Sequence, residues 1–240
     1  MEEKLSGIVV GGVNYGESDK ILNIFTLEKG MVSAKIKGVK KAGAKLKFAS
    51  EPFCFAEFIF SKTGDRRTVI GASLIDSFYA LREDVYKFYA GSVVLEFIRK
   101  FQKESIVSEN LFNLTLGALK DITYKDGDYK FALVKFLINA LEEIGYALDF
   151  SGCFGCGCEL KERVFFDYNY GGFFCDECRT DKCREINYST YKSLVEVSLD
   201  QQVEPEKLIK CLRLINFYVE NKPEEKIKTL TELLNLLNLI

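Results

Sequence analysis

Two pairs of cysteines with regular spacing constrain this chain more than any other feature. Cys153 and Cys156 are separated by two residues, an eighteen-residue spacer follows, and Cys175 and Cys178 repeat the first spacing. Two intervening residues let one tight turn direct both sulfur atoms at a single ion, so the double pair is typical of a tetrahedral zinc site. The chain contains no histidine. A zinc ion must therefore be bound by four cysteines, which indicates one structural Zn²⁺ per chain rather than a catalytic metal.

The spacer predicts a small β-hairpin that returns the second cysteine pair to the first. Glu162–Tyr168 is rich in aromatic and apolar residues, Asn169–Gly172 is a turn sequence, and Phe173–Phe174 resumes the strand. Cys158 and Cys183 lie near the pairs and are alternative ligands, and buried thiols or disulfides are the alternative to a metal site. The regular spacing favours the four paired cysteines.

Length and cysteine usage limit the class of protein. With 240 residues the chain can bury a sizeable core without disulfides. Its eight cysteines, and a start at Met1–Lys4 that lacks the pattern of a secretory signal, predict a soluble protein in the reducing cytoplasm. The isolated Cys54 and Cys211 lie in apolar runs and are predicted to be core residues.

Charge is segregated along the chain. Residues 1–80 hold twelve Lys/Arg and nine Asp/Glu, a balance of +3, which leaves −5 for the rest of a chain whose formal net charge is −2. Such asymmetry allows one region to meet a polyanion while another meets a different partner.

The first eighty residues have the short, alternating apolar pattern of strands separated by turns that contain glycine. In Met31–Lys37 the apolar residues alternate with serine and lysine, which predicts a half-buried strand with a basic outer face. Further strands are predicted at Ser6–Val10, Pro52–Phe60 and Arg66–Ile70. Several short strands in so few residues indicate a small closed barrel.

Beyond residue 80 the period becomes helical, with the cysteine hairpin inserted between two groups of three helices. Pro205 and Pro223 suit first-turn positions. The resulting prediction is an α+β protein with a barrel at 1–80, a helical domain at 81–150 and 184–240, and a zinc-finger insertion at 151–183. The six predicted helices are 85–101, 111–122, 129–146, 191–199, 205–219 and 223–239.

Sequence motifs of catalysis are missing from the chain. It has no Walker phosphate loop, no dinucleotide-binding glycine motif after a strand, no Gly-x-Ser-x-Gly elbow and no Lys-x-Asp-Gly nucleophile motif. Without histidine, Ser-His and Cys-His arrangements are impossible. The sequence therefore predicts a protein that is not an enzyme.

Six lysines are concentrated where the predicted barrel strand runs into a glycine-containing loop. Thirteen residues without an acid contain Lys35, Lys37, Lys40, Lys41, Lys45 and Lys47. Ammonium groups spaced in this way suit a run of phosphates, so these residues are the predicted DNA-binding site. A solvated loop that serves solubility is the alternative. Four nearby aromatic residues are candidates for base stacking: Tyr15, Phe48, Phe53 and Phe55.

The chain resembles the RecO family of bacterial DNA repair and recombination mediators over most of its length. The resemblance is carried by Tyr15–Ile21, Phe25–Gly30, Lys37–Lys41, Cys153–Gly157 and Gly171–Cys178. In this family the basic loop is commonly rich in arginine, whereas this chain has Lys40 and Lys41. Lysine contacts a phosphate as a point charge, without the bidentate fork of arginine.

The resemblance implies a fold and a function. The barrel is expected to be an OB-fold, and the protein is expected to bind single- and double-stranded DNA and to anneal complementary strands without catalysis. Expected partners are the mediator RecR, the acidic C-terminal tail of the single-strand-binding protein and, indirectly, the recombinase RecA, in the bacterial nucleoid. Arg99, Lys100 and Lys103 are the predicted contacts for the acidic tail.

Two other functions suit the same sequence features. A zinc-containing RNA-binding or transcription-associated protein would use the same barrel, lysines and cysteines. A protein-only adaptor would carry the lysines as bystanders. The stoichiometry with RecR, the strand polarity and the oligomeric state are not predicted.

Overall fold

The computed structural model describes residues 2–104, 106–223 and 225–238. In this part of the chain, five strands form a closed barrel, six α-helices follow, and four short strands lie between the third and the fourth helix. The predicted fold class, a barrel resembling an OB-fold followed by a helical domain, is confirmed.

The barrel closes because its first strand pairs on both sides. Strand β1 is antiparallel to β2 and to β4, β3 is parallel to β5, and the order around the barrel is β1-β2-β3-β5-β4. The strands are β1 Glu2–Tyr15, β2 Asp19–Thr26, β3 Gly30–Ile36, β4 Phe55–Thr63 and β5 Arg66–Asp76.

Alternation of side chains determines which face of each strand is buried. In β3, Val32, Ala34 and Ile36 point into the barrel, as predicted, while Ser33 and Lys35 point outward. The predicted strands were incomplete: β1 extends well beyond 6–10, β4 lies at Phe55–Thr63 rather than 52–60, β5 continues past 70 to Asp76, and β2 was not predicted. The apolar residues of β2 are interrupted by polar ones, and its regularity comes from pairing with β1 and β3.

The helices agree closely with the periodic pattern. The helices are α1 Val85–Phe101, α2 Glu109–Tyr124, α3 Tyr129–Glu143, α4 Tyr188–Ser198, α5 Pro205–Asn221 and α6 Lys228–Leu237. Asp84 caps α1 by accepting from two backbone N–H groups, and Pro205 occupies the first turn of α5. Pro223 does not begin the last helix, because α6 starts only at Lys228. Leu239, in the predicted range of this helix, lies outside the described residues.

Helix α3 is the central helix of the second domain, as its nearly continuous apolar sequence predicts. It packs against α1, α2, α4 and α5, and its buried residues include Leu133, Phe136 and Leu141. A helix surrounded by neighbours must be apolar on most sides.

The cysteine region is a four-stranded sheet rather than an isolated hairpin. The strands are β6 Asp149–Cys153, β7 Arg163–Asp167, β8 Gly172–Phe174 and β9 Arg184–Asn187, in the order β6-β8-β7-β9. The antiparallel pair β7–β8 is the predicted hairpin. The flanking strands were missed because they are short and mostly polar or exposed, and only their pairing identifies them.

Apolar residues form two groups. One fills the barrel, with Leu22, Phe58 and Phe60 among its members. The other joins the helices, the cysteine sheet and the barrel surface facing them. Phe112 of α2 connects the halves, with ring centroids 5.4 Å from Phe25 and 6.2 Å from Phe55.

Within the described ranges, none of the helices is both long and apolar enough to cross a membrane.

Candidate metal centre and nucleic-acid interface

Four sulfur atoms converge between β6 and β8. The Sγ atoms of Cys153, Cys156, Cys175 and Cys178 all lie within 4.8 Å of one another. Two of the separations are 3.6 Å, between Cys153 and Cys175, and 3.9 Å, between Cys156 and Cys175. Tetrahedral zinc with Zn–S bonds of about 2.3 Å separates its sulfur ligands by about 3.8 Å. The four cysteines can therefore bind a metal ion, and their arrangement fits zinc.

Strand pairing brings the two cysteine turns together. Cys153 ends β6 and is paired in register with Phe173 of the parallel strand β8, which places Cys175 beside it. Gly155 sits between the turns: a Cβ atom there would lie 2.8 Å from the Cβ of Cys178 and 3.0 Å from its Sγ. Glycine at this position lets the two turns approach closely enough to share an ion.

Backbone N–H groups surround the Cys153 sulfur, which accepts from Cys175 N at 3.3 Å. Burial alone would raise the pKa of the Cys153 thiol, but these hydrogen bonds outweigh it and hold the pKa at about 6. The thiolate is the form that binds metal, so the backbone prepares this sulfur as a ligand.

The other four cysteines lie outside the cluster. Cys183 accepts from Thr180 N within its own turn. Cys158 is exposed and is not one of the four converging sulfur atoms, but its thiol lies beside those of Cys156 and Cys175. Cys54 and Cys211 are buried core residues, as predicted, and burial raises the pKa of both thiols to about 12.

An arginine connects the sheet to the second cysteine turn. Arg163 of β7 donates two hydrogen bonds of 3.1 Å to Glu185 of β9, and its third nitrogen contacts Asp176, also at 3.1 Å. Asp176 lies between Cys175 and Cys178, and Arg179 also pairs with it, at 3.2 Å. This network restrains the turn that carries two of the four ligands.

The basic loop after β3 is a series of tight turns. Lys41 N donates to Gly38 O, Ala44 N to Lys41 O, and Lys47 N to Ala44 O. Val39 is buried in the barrel, so the loop is anchored while its lysines project.

Asp19 ties this loop to the turn between β1 and β2. Its carboxylate accepts from Gly38 N at 2.8 Å and lies 2.9 Å from Lys35 Nζ, while Lys40 N donates to Ser18 O at 3.0 Å. The hydrogen bond from the Gly38 N–H and the Lys35 ammonium lower the pKa of Asp19 to about 2. The carboxylate is therefore ionised throughout the physiological range.

The six predicted lysines are not equivalent. Lys35 is half-buried, paired with Asp19, and stacked over Tyr15 with Nζ 4.4 Å from the ring centroid. The other five are exposed, and none forms an ion pair within the ranges 2–104, 106–223 and 225–238: Lys37, Lys40, Lys41, Lys45 and Lys47. Of the aromatic candidates, Phe53 and Phe55 are buried, Phe48 is half-buried, and Tyr15 is exposed.

Comparisons with known proteins cover both halves of this structure. Residues 1–78 match the family model described as "Recombination protein O N terminal", and residues 82–231 match "Recombination protein O C terminal". The chain belongs to the RecO family. "DNA repair protein RecO" of Acetivibrio thermocellus is 31% identical over 175 residues, which are 73% of this chain and 70% of that protein.

Other RecO proteins align over nearly the whole chain. The relative from Caldicellulosiruptor bescii is 29% identical over 228 residues, covering 95% of this chain and 89% of that protein. The relative from Desulforamulus reducens is 29% identical over 236 residues, covering 94% and 91%. This chain is thus a RecO-family DNA repair protein throughout its two halves.

The three cations predicted to meet a RecO partner are in different environments. Arg99 lies against the barrel, because a Cβ atom at Gly11 would be 3.1 Å from its guanidinium. Lys100 pairs with Glu225 at 2.9 Å. Lys103 is exposed.

Sequence reasoning missed the residues that hold the site together, Asp19 and Arg163. Asp19 lies in the motif that carries the family resemblance, but its link to Gly38 spans nineteen residues. A link of that length is visible only once β2 and β3 are paired.

Proposed function

We propose that this chain is a non-enzymatic DNA-binding mediator, which holds DNA on the basic loop of its barrel and anneals complementary strands. The single observation that carries the proposal is the anchored loop with five exposed lysines free of ion pairs among the described residues. Clustered cations neutralise neighbouring phosphates, and this lowers the repulsion between two strands that must pair. Membership of a DNA repair family supports DNA as the polyanion.

The proposal is tested by the salt dependence of single-strand binding. If the five lysines contact about five phosphates, the log–log slope of affinity against salt is about −3.5. Lys40→Ala with Lys41→Ala removes two contacts, so the slope becomes shallower by about 1.4 and annealing slows. Base sequence has little influence, because phosphate contacts position a strand without reading it.

Lys161→Ala with Lys182→Ala, two exposed lysines of the cysteine region, is the matched control and leaves the slope unchanged. If Lys40→Ala with Lys41→Ala binds and anneals like the parent at every salt concentration, DNA must bind to another face of the protein. Arg66 and Arg67 would then be the next residues to change. RNA of equal length, bound and annealed as well as DNA, would favour the RNA-binding alternative. A parent that fails to bind at low salt would favour the adaptor.

The cysteine cluster is assigned a structural zinc ion in this function, one per chain. Cys153, Cys156, Cys175 and Cys178 would hold the ion, which would join the turn after β6 to the turn after β8. It would supply no reaction step, because four cysteines leave no coordination position for water. Partners are assigned to the helical half, with RecR, the single-strand-binding protein and RecA as the expected set.

The acidic tail of the single-strand-binding protein has two possible positions on the helical half. The predicted one is at Arg99, Lys100 and Lys103. A second is a cavity of about 270 Å³ between β9 and α5, where Arg184, Lys210 and Arg213 surround apolar side chains. Reversing the three charges at each position in turn, with tail-peptide affinity as the readout, decides between them. An affinity unchanged by either reversal would remove both.

A further inference from the structure

An open groove of about 660 Å³ lies between α2 and α3. Its residues on α2 recur every three or four positions from Asn110 to Asp121, and those on α3 do so from Ala132 to Glu143. This spacing marks one face of each helix. Eleven residue steps along α2 make the groove about 16 Å long.

The groove has a small apolar floor and acidic rims. Leu114 and Phe136 line the floor, and a Cβ atom at Gly117 would meet no atom of another element within 4 Å. Three carboxylates line the groove, and they are those of Asp121, Glu142 and Glu143. This surface is called here the acidic groove.

The negative charge of the acidic groove is not compensated. The lysine that lines it, Lys135, lies 2.6 Å from Asp200, so its charge is already paired. Within the described ranges neither Glu142 nor Glu143 forms an ion pair. Asp121 pairs with an exposed lysine one turn further along α2, at 3.3 Å, and such surface pairs contribute little. The groove therefore suits a cationic occupant.

The basic loop has the complementary charge. Its five exposed lysines form no ion pair with the described residues, and the small residues Ala42 and Gly43 are exposed between them. Small residues fit a narrow groove while the ammonium groups beside them reach carboxylates on its rims. The balance of +3 over residues 1–80 and of −5 over the rest of the chain has the same signs as these two surfaces.

The loop does not meet the groove of its own chain. Val39 is buried in the barrel and the Gly38 N–H is bound to Asp19, so the loop is fixed on the barrel. None of its five exposed lysines pairs with a carboxylate of the groove. Contact between the two surfaces therefore requires a second copy.

We propose that the acidic groove binds the basic loop of a second copy of this chain. The two surfaces differ, so the contact is head-to-tail, and each added copy offers one free groove and one free loop for further growth. A single loop in a groove buries less than about 1,200 Å², the size of a transient contact.

One consequence rests on the function proposed above. A DNA strand that occupies the five lysines withdraws the loop from the groove, so DNA binding and self-association exclude each other. Copies assembled without DNA would separate when they bind it.

The first experiment measures the mass of the whole chain by sedimentation equilibrium. At about 0.1 M salt the average mass of the parent rises with concentration past twice the monomer mass of 27.3 kDa. At about 1 M salt, where the screening length falls from about 10 Å to about 3 Å, the mass returns to that of the monomer.

Two variants identify the surfaces. A loop variant replaces the five exposed lysines of the basic loop by glutamine, and a groove variant carries Asp121→Asn, Glu142→Gln and Glu143→Gln. Each alone stays monomeric at concentrations where the parent assembles. Mixed together they form one-to-one dimers and nothing larger, because one intact loop meets one intact groove and no contact remains for extension.

A matched control makes the same change of charge outside the groove. Asp181→Asn, Glu206→Gln and Glu232→Gln neutralise three exposed carboxylates and leave assembly like that of the parent. Melting temperatures equal to the parent's show that the loop and groove variants are folded.

Short oligothymidine tests the consequence for DNA. Added to the assembled parent, it returns the protein to single copies with one strand bound. The groove variant binds the same strand with the parent's salt slope.

Any of three results would overturn the proposed contact. These are a parent that stays monomeric at about 0.1 M salt, assembly that survives about 1 M salt, and a mixture of the two variants that stays monomeric. None of them alters the salt slope of Lys40→Ala with Lys41→Ala, so the proposed function is judged separately. Assembly that persists with oligothymidine, together with an unchanged slope for that double variant, would remove the proposed function and leave the contact.

Discussion

Glu96 is a carboxylate buried between two helices that are distant in the chain. It is 5% exposed on α1 and accepts from the backbone N–H of Thr229 at 2.9 Å and from its hydroxyl at 2.8 Å. Helix α6 begins after Ile227, which has no side chain able to cap it. Glu96 therefore supplies the cap that the local sequence of α6 lacks.

Replacing Glu96 by alanine leaves these N–H and O–H groups without their acceptor. We expect the free energy of unfolding to fall by about 2 kcal/mol at neutral pH, measured by chemical denaturation. The control Glu142→Ala removes an exposed carboxylate and changes stability by less than about 0.5 kcal/mol.

The effect of Glu96 depends on pH. Burial opposes ionisation of this group, but hydrogen bonds from Thr229 prevail and lower its pKa below the usual 4.5. A lowered folded-state pKa means that the contribution is complete above pH 4.5 and is lost as the pH falls through the folded value. The difference between parent and Glu96→Ala should therefore shrink in acid. Both proteins carry the same cysteines, so acid release of a metal cancels in this difference. A difference that grows in acid would contradict the assignment.

At the scale of elements, the cysteine sheet depends on long-range links more than on strand propensity. Its strands are three to five residues long, and short strands are marginal without further support. Support comes from the buried aromatic residues of β7 and β8, from the cysteine cluster and from the Arg163 network. The barrel interior is a separate apolar group.

Cys175→Ser should release the zinc ion and destabilise the sheet and its neighbouring helices, while the barrel remains folded. Metal analysis of the purified protein should return one zinc per parent chain and none for the variant, with the barrel amides still protected from hydrogen exchange. Loss of protection in β1 and β2 as well would contradict the separation of the two cores.

Arg163→Ala keeps all four cysteines but frees the turn that contains Asp176. Loss of a residue that holds metal ligands in place typically lowers metal affinity by tenfold or more. We therefore expect a chromogenic chelator to remove zinc from Arg163→Ala at about one tenth of the concentration that the parent requires. Lys161→Ala removes a neighbouring surface ion pair with Glu159 and serves as control. Equal retention of zinc in both variants would mean that the network has no role at the metal.

At the scale of the whole molecule, the barrel and the helices share one apolar interface. Phe112 is 2% exposed and contacts Phe25 and Phe55 of the barrel. Ile8 and Phe53 also face the helices rather than the barrel interior. The barrel and the helical half are therefore positioned by packing, not by a flexible linker.

Phe112→Ala should leave a cavity at this interface and lower the free energy of unfolding by about 3 to 5 kcal/mol. Guanidinium denaturation measures this free energy. The control Tyr79→Ala removes an exposed ring and should change the free energy of unfolding by less than about 0.5 kcal/mol. A loss below about 1 kcal/mol for Phe112→Ala would mean that the halves are stabilised independently.

The sequence by itself determined the parts of this protein that depend on local spacing. The helical period predicts the bounds of α1, and strand alternation predicts the inward residues of β3. The geometry of a two-residue turn predicts the four converging cysteines. The basic loop was likewise visible, because a run of lysines without acids needs no partner to be recognised.

Tertiary structure decided the parts in which one residue acts on another far along the chain. Strand pairing with distant residues determines β2 and the edge strands β6 and β9. Capping by Glu96 determines the late start of α6. Asp19 reaches Gly38, Arg163 reaches Asp176, and Glu96 reaches Thr229 across 133 residues. Such contacts leave no local pattern, since their energy depends on the distance between atoms that only folding brings together.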